Sequence, residues 1–269
     1  MKTVVLKKIV QSLTLASAAA FGSSAFAGAT WTFGDDSPYP TSLCSASEAA
    51  AGCAAQAGST AGSPSVKVSA YSTTGTSGKF AAATLTAWDG GLGVQANAND
   101  SGSPQHAMDN NGYTDMILLN FGNAKIDLDS IQIGWKQTDA DISVFRYVGS
   151  DAAPTPVGLS VTNMSSGGWE LVGNYADLST SGARAVNSTD KSSSWWLISA
   201  YNAGYGTSSE DPGNYLGTGN DYFKVLSVAG NVVTPPPPPT NVPEPGSLAL
   251  MGIAMAGFVA TRRRKQQSA

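Results

Sequence analysis

The chain of 269 residues is 42% apolar but only 13% charged, and it contains 30 glycines and 14 prolines. This composition argues against a coiled coil, a basic nucleic-acid-binding protein and a polytopic membrane protein. The single histidine, His106, excludes metal sites that need several histidines. Residues 28–243 hold eight basic and 18 acidic residues, a net charge of −10, so no nucleic-acid partner is expected.

The first residues have the layout of a secretory signal peptide. Three lysines among the first eight residues precede an apolar run over residues 9–21. Ala25 and Ala27 then supply the small residues that a signal peptidase recognises at its cleavage site. Cleavage between Ala27 and Gly28 is therefore expected, which makes residues 1–27 the signal peptide. An uncleaved N-terminal anchor is the alternative.

The two cysteines, Cys44 and Cys53, are predicted to form a disulfide after export into an oxidising compartment. Two free thiols are the alternative. The surrounding segment, residues 44–62, is compatible with a short helix or with a loop tied by that disulfide.

The eight strongest strand patterns lie between the signal peptide and a run of prolines, and no comparable amphipathic helix appears there. These patterns cover residues 65–71, 80–88, 114–121, 129–135, 141–148, 168–173, 195–201 and 222–229. They predict an all-β domain over residues 28–230, with an antiparallel two-sheet sandwich of the jelly-roll type as the favoured fold. A parallel β-helix is disfavoured because the sequence shows no fixed internal repeat.

Alternation of apolar and polar residues predicts which side chains face the core. Val66, Val68 and Ala70 are expected on one face of their strand, and Ile131, Ile133 and Trp135 on one face of another. Two runs are apolar at every position, as is typical of central strands covered on both faces. They are residues 116–119 and 195–198.

The C-terminal part begins with a proline-rich spacer, residues 231–242, which favours an extended conformation. An apolar stretch over about residues 246–261 is then predicted to form a single transmembrane helix of about 24 Å, only just long enough for the hydrocarbon core. A basic cluster follows and is expected to remain cytoplasmic. It consists of Arg262, Arg263, Arg264 and Lys265.

A short motif, Val242-Pro243-Glu244-Pro245-Gly246, precedes the apolar helix and the basic cluster. In this order the three features resemble the PEP-CTERM sorting signal of Gram-negative bacteria that produce exopolysaccharide, here over residues 243–265. The resemblance implies processing by an exosortase, so that anchoring in the inner membrane would be transient. The same tail signature is also catalogued as the ice-binding protein C-terminal region, a description of the tail alone. A plain single-pass anchor is the alternative.

The middle of the chain is similar to a subgroup of exosortase-dependent surface proteins. The similarity rests on segments such as Trp31-Thr-Phe-Gly-Asp35, Ser103-Pro-Gln-His-Ala-Met-Asp-Asn110 and Asp115-Met-Ile-Leu-Leu-Asn-Phe121. It identifies a class of protein without assigning a reaction.

A polar stretch over residues 97–115 contains oxygen ligands that would suit calcium, above all Asp109, Asn111 and Asp115. Their spacing does not match an EF-hand loop, and Asx turns leading into the next strand explain the same residues. Calcium is therefore a weak candidate, and no other cofactor is expected.

Three further patterns are compatible with functional sites. His106 could act as a general base, and Asp139 with Asp141 could serve glycoside hydrolysis, unless Arg146 pairs with one of them. Tyrosines mixed with Gly, Asn and Asp over residues 199–221 could bind a sugar. No serine stands in a nucleophile elbow within the domain.

The sequence thus favours a protein without catalytic activity at the cell surface or in the extracellular matrix, exported by a signal peptidase-dependent route and sorted by an exosortase. Exopolysaccharide is the expected contact outside the cell. A carbohydrate-binding module and a polysaccharide hydrolase are the alternatives.

Overall fold

The computed structural model describes residues 28–33, 41–44, 54–56, 58–59, 61–74, 77–97, 100, 104, 106–152, 154–208, 216–217, 219–234 and 247–266. Within these residues the chain forms strands and one α-helix, and it divides into a β domain ending at Val232 and a C-terminal unit. The strands are β1 Ala29–Thr32, β2 Thr41–Cys44, β3 Ala54–Gln56, β4 Val66–Thr73, β5 Phe80–Trp88, β6 Gly91–Gln95, β7 Met108–Asp109, β8 Asp115–Asn120, β9 Ile126–Thr138, β10 Ile142–Tyr147, β11 Trp169–Tyr175, β12 Arg184–Ala185, β13 Ser192–Ser193, β14 Trp195–Ala200 and β15 Asp221–Val232.

The strands are hydrogen-bonded in one continuous, antiparallel, curled sheet. Its order is β11-β10-β14-β8-β4-β5-β6-β15-β9-β12, and short strands pair along its sides. Strand β5 joins two halves of the sheet, one formed by β11, β10, β14, β8 and β4 and the other by β6, β15, β9 and β12. Residues 80–83 of β5 pair with β4, and residues 84–88 pair with β6. The structure confirms the predicted all-β antiparallel class, whereas a separation into two sheets is not seen among the described strands.

The inner face of the curled sheet holds the main hydrophobic core, to which both halves contribute. Val66, Val68 and Ala70 of β4 lie in this core as predicted, and so do Ile131 and Ile133 of β9. Alternate residues of the strands reach the core because successive side chains of a strand point to opposite faces.

A second hydrophobic cluster, called here the outer cluster, covers the other face of β8, β10 and β14. Ile117 and Leu119 of β8 lie in the main core, while Met116 and Leu118 lie in the outer cluster. The two uniformly apolar runs, in β8 and β14, are therefore buried on both faces, as the sequence predicts. The outer cluster consists of Tyr71, Phe80, Met116, Leu118, Phe145, Tyr147, Met164, Trp169, Leu197 and Tyr205.

The predicted inward position of Trp135 is wrong, because a β-bulge intervenes. Ile133 pairs with Val225 and Trp135 pairs with Lys224, so Gly134 is the extra residue in β9. The bulge changes the face on which Trp135 lies, and its ring packs against Lys224 outside the core. A side chain at Gly134 would collide with the backbone oxygen of Gly90, which explains the glycine.

All eight predicted strands are present, with small differences at their ends. Other predictions lie outside the described residues: the signal peptide, Cys53 and most of the proline-rich spacer. Cys44 ends β2, and the predicted disulfide stays a prediction.

The C-terminal unit contains helix α1, Ser247–Gln266, where the sequence predicts a helix. Leu250, Met251, Ile253, Met255 and Phe258 are each at least 63% exposed along it. None of the described helices combines the length and the apolar character that a membrane-spanning helix needs.

Trp31 of β1 provides a direct test of the core. Its side chain is fully buried, its indole N–H donates to the backbone oxygen of Pro64 at 2.8 Å, and its ring meets Phe121 edge to face. Trp31→Ala should lower the free energy of unfolding by about 3 to 5 kcal/mol. Trp31→Phe keeps a buried aromatic ring but loses the hydrogen bond and part of the ring volume, so it should cost less, and the exposed Thr32→Ala should change little.

Urea unfolding of the three variants measures these differences. A loss below about 1 kcal/mol for Trp31→Ala would contradict the position of this ring in the core.

Candidate functional site

Three carboxylates meet where the chain passes between the two halves of the sheet. Asp139 follows β9, Asp141 precedes β10 and Asp221 begins β15. Each offers an oxygen within 4.8 Å of the oxygens of the other two, and we call this group the acidic cluster. Thr138, the last residue of β9, adopts a positive φ of 65°, which turns the chain towards β10.

Backbone N–H groups surround the carboxylate of Asp141, which is fully buried. Its Oδ1 accepts a hydrogen bond from the N–H of Asp177 at 2.8 Å, and its Oδ2 accepts one from the N–H of Gly217 at 2.6 Å. Hydrogen bonds from neutral donors stabilise a buried charge.

Asp221 is also fully buried and fully bonded. Its Oδ1 accepts from the N–H of Asp141 at 2.7 Å, and its Oδ2 accepts from the side-chain amide of Asn110. The Oδ1 of Asn110 in turn accepts from the N–H of Asp221 at 3.1 Å, and its amide also donates to the backbone oxygen of Tyr201 at 2.8 Å. The side chain of Asn110 therefore connects the start of β15 to the end of β14.

Burial determines the protonation of the cluster. Desolvation raises the pKa of Asp221 to about 8, and the negative charges of Asp141 and Asp139 act in the same direction. Desolvation also raises the pKa of Asp141 to about 6, against the effect of its two backbone hydrogen bonds. At neutral pH Asp221 is therefore mainly protonated, which relieves part of the repulsion.

The acidic cluster could hold a cation by its oxygen atoms, which are the ligand type that calcium prefers. Each carboxylate, however, already accepts hydrogen bonds from the chain. The bonds of Asp141 and Asp221 are described above, and Asp139 accepts one from the N–H of Ala140 at 2.8 Å. The same arrangement explains the cluster as a structural connection between β9, β10 and β15.

Glycoside hydrolysis by Asp139 and Asp141 needs a sugar between two accessible carboxyl groups. Asp141 is instead enclosed, and Arg146 pairs with Glu170 and not with either aspartate. The sequence did not indicate Asp221 as their neighbour, because it lies 80 residues beyond Asp141 and follows an ordinary Gly-Asn turn.

The predicted calcium ligands form a different group. Asp109 Oδ1 accepts from the N–H of Asn111 at 2.9 Å, which is an Asx turn, and Asp115 Oδ2 accepts from the N–H of Asp109 at 3.2 Å. Desolvation raises the pKa of Asp109 to about 7 and that of the fully buried Asp115 well above its usual range. The Asx-turn alternative thus accounts for the bond between Asp109 and Asn111, and calcium binding by these residues stays a prediction.

His106 lies in a stack of flat side chains on the outer face of the sheet. Its ring stacks on Trp88 with centroids 4.1 Å apart, and the Nζ of Lys224 lies 4.0 Å from the centroid of Trp88 and 4.6 Å from that of Trp135. A cation between two indoles is a stabilising arrangement. The geometry gives His106 a packing role.

Most aromatic residues in the second half of the chain serve the core. Trp169, Tyr175, Trp196 and Tyr205 are buried, and Tyr215 lies outside the described residues. Trp195, Tyr201 and Tyr222 are half-buried, and of these three only Trp195 lines the cleft described next.

That cleft, which we call the Trp195 cleft, has a volume of about 490 Å³. It lies between the turn after β8, the end of β10 and the start of β14. Polar residues dominate its lining, which includes Asn123, Lys125, Ser150 and Ser194. Neither the sequence stretch 199–221 nor any single motif indicated it, because three distant turns form it.

One wall of the cleft is fixed by ion pairs. Arg146 donates through Nε and Nη2 to Oε2 of Glu170, at 3.0 and 2.7 Å, and Lys191 Nζ lies 2.9 Å from Oε1 of the same residue. Arg146 also donates to the backbone oxygen of Ser192 at 3.3 Å. These contacts hold the lining in place.

The raised pKa values of the acidic cluster predict how stability depends on pH. The folded state retains protons that the unfolded chain releases near pH 4, so the free energy of unfolding should fall between about pH 4 and pH 8. Asp139→Asn removes a negative charge that raises the pKa of Asp221 and Asp141. The variant should be more stable than the wild type by about 1 kcal/mol at pH 8, with a shallower decline.

Urea unfolding between pH 5 and pH 9 tests this prediction, with Asp89→Asn as an exposed control outside the cluster. Equal slopes for the wild type and Asp139→Asn would contradict the role assigned to the cluster.

The motif Val242-Pro243-Glu244-Pro245-Gly246 lies outside the described residues, while the basic residues 262–265 belong to helix α1. The signal-cleavage residues Ala25 and Ala27 are likewise not described, and Gly28 is the first described residue.

Comparison with known proteins identifies the C-terminal signal. Residues 241–265 match the family model described as the PEP-CTERM protein-sorting motif. No curated protein and no solved structure matches the chain. The match covers the predicted motif, nearly all of the helix and the basic cluster, and the chain is therefore a protein that carries a PEP-CTERM sorting domain at residues 241–265.

Proposed function

We propose that the chain is a Gram-negative surface or matrix protein, exported through residues 1–27 and then sorted by an exosortase that processes its C-terminal motif. The PEP-CTERM match at residues 241–265 is the observation that carries this proposal. The β domain would be the exported part, and it would act without catalysis.

The C-terminal unit supports a processing role. Helix α1 follows the motif directly and exposes a continuous set of apolar side chains, including Ile253 and Phe258. Apolar side chains of this kind favour an interfacial or membrane environment over water. We infer that the helix associates with the inner membrane only until the tail is processed.

The geometry of the carboxylates supports a role without catalysis. Asp141 and Asp221 are enclosed and bonded within the domain, and His106 is stacked on Trp88. We also infer that the two halves of the curled sheet face each other across the main core in a jelly-roll-like manner, since both halves contribute to that core.

Carbohydrate binding is a second candidate function, favoured by the Trp195 cleft. The cleft combines a half-buried indole with polar groups, which is a common composition of sugar-binding sites. Its volume lies within the range of about 300 to 1,000 Å³ for sites that take small ligands.

Expression in a bacterium that carries an exosortase tests the sorting proposal. The double variant Pro243→Ala with Glu244→Ala should retain its C-terminal helix and lose most of its surface labelling, because the enzyme can no longer recognise the motif. Pro236→Ala, within the proline run, is the matched control and should behave like the wild type.

Surface biotinylation and the intact mass of the chain measure both effects. Processing of the double variant at the wild-type level, or identical processing in a strain without exosortase, would contradict the proposal.

A further inference from the structure

We propose that the Trp195 cleft binds a short segment of an acidic polysaccharide, with a sugar ring against the indole and a carboxylate near Lys125. This inference deepens the proposed function, because it names the ligand class through which an exported domain would contact the matrix. It concerns a cleft at the turns beside β10 and β14, away from residues 199–221.

The indole of Trp195 is suited to be the platform. The side chain is half-buried and packs against the outer cluster, while the residue also lines the cleft. Its backbone N–H donates to Oγ of Ser193 at 3.1 Å, and Ser193 Oγ donates to the backbone oxygen of Tyr147 at 2.9 Å. These bonds position the backbone, and packing against the outer cluster restricts the ring before a ligand arrives, which reduces the entropy lost on binding.

Hydroxyl groups of a sugar would find hydrogen-bonding partners around this platform. Asn123 and Ser150 are exposed at the cleft, and Ser194 is half-buried beside Trp195. The side chains of these three residues make no hydrogen bond within the described part of the chain. Amide and hydroxyl groups supply both donors and acceptors, as sugars require.

The charges of the cleft favour an anion. Arg146 and Lys191 share the single carboxylate of Glu170, so this ion-paired wall keeps one net positive charge. That charge offsets the one acid of the lining, Asp151, and the exposed Lys125 adds a further positive charge. Residues 28–243 as a whole carry a net charge of −10. On an acidic domain, the excess positive charge of Lys125 would direct a polyanion to this place.

Two other partly exposed indoles of the outer face already pack against neighbouring side chains of the domain. Trp88 and Trp135 enclose the ammonium group of Lys224, and His106 covers Trp88. Trp135 is therefore a suitable control, since it is a partly exposed tryptophan outside the cleft.

Affinity electrophoresis of the full chain through gels that contain alginate, a polyuronate, or dextran, a neutral glucan, tests the proposal. Alginate should retard the wild type more strongly than dextran does. Trp195→Ala should weaken the apparent affinity for alginate by about three- to tenfold, whereas Trp135→Ala should leave it unchanged.

Lys125→Gln should weaken binding to alginate and leave any binding to dextran unchanged, and added salt should reduce the difference from the wild type. Because Lys125 and Asn123 are exposed, Lys125→Gln and Asn123→Ala should not disturb folding, and Asn123→Ala should also bind alginate more weakly.

The cleft is refuted as a glycan site if neither polymer retards the wild type, or if the Trp195 and Asn123 variants bind like the wild type. Equal retardation by both polymers would refute the preference for acidic chains. None of these outcomes depends on tail processing, so failure here is distinguishable from failure of the sorting proposal.

Discussion

The fold depends on one strand that belongs to both halves of the sheet. Strand β5 pairs with β4 up to Ala83 and with β6 from Thr84 onward, so the sheet must curl at this point. A strand that changes partners in this way turns a corner without breaking its hydrogen-bond ladder. The main core lies on the inner face of the curled sheet, and the outer cluster buries the second face of β8 and β14.

The chain also passes between the halves at the acidic cluster, where charges replace apolar contacts. Two features lower the free-energy cost of burying Asp141 and Asp221. Backbone N–H groups and Asn110 donate hydrogen bonds to them, and Asp221 holds a proton near neutral pH. The cluster is therefore explained by the connection of β9, β10 and β15. The ligand contact that we propose lies elsewhere, at the Trp195 cleft, where Asn123, Lys125 and Ser150 are exposed.

Sequence patterns predicted the parts of this fold that depend on local periodicity. All eight strands with clear alternation or continuous apolar character are present. The described strands that the sequence did not predict are shorter, from two residues in β7 and β12 to five in β6. Trp135 was placed wrongly because the bulge at Gly134 depends on the pairing with β15. The approach of Asp221 to Asp141 and the convergence of three turns at Trp195 could not be predicted, since tertiary contacts create them.

The terminal signals and the domain support a single account, in which an acidic β domain is delivered to the outside of a bacterium. In this account the predicted signal peptide directs export, and the PEP-CTERM motif directs sorting at the cell surface. Intact mass spectrometry of the protein from its source bacterium tests this account most directly. The account predicts a chain that begins at Gly28 and lacks helix α1. A soluble cytosolic chain that retains both Met1 and Ala269 would contradict it.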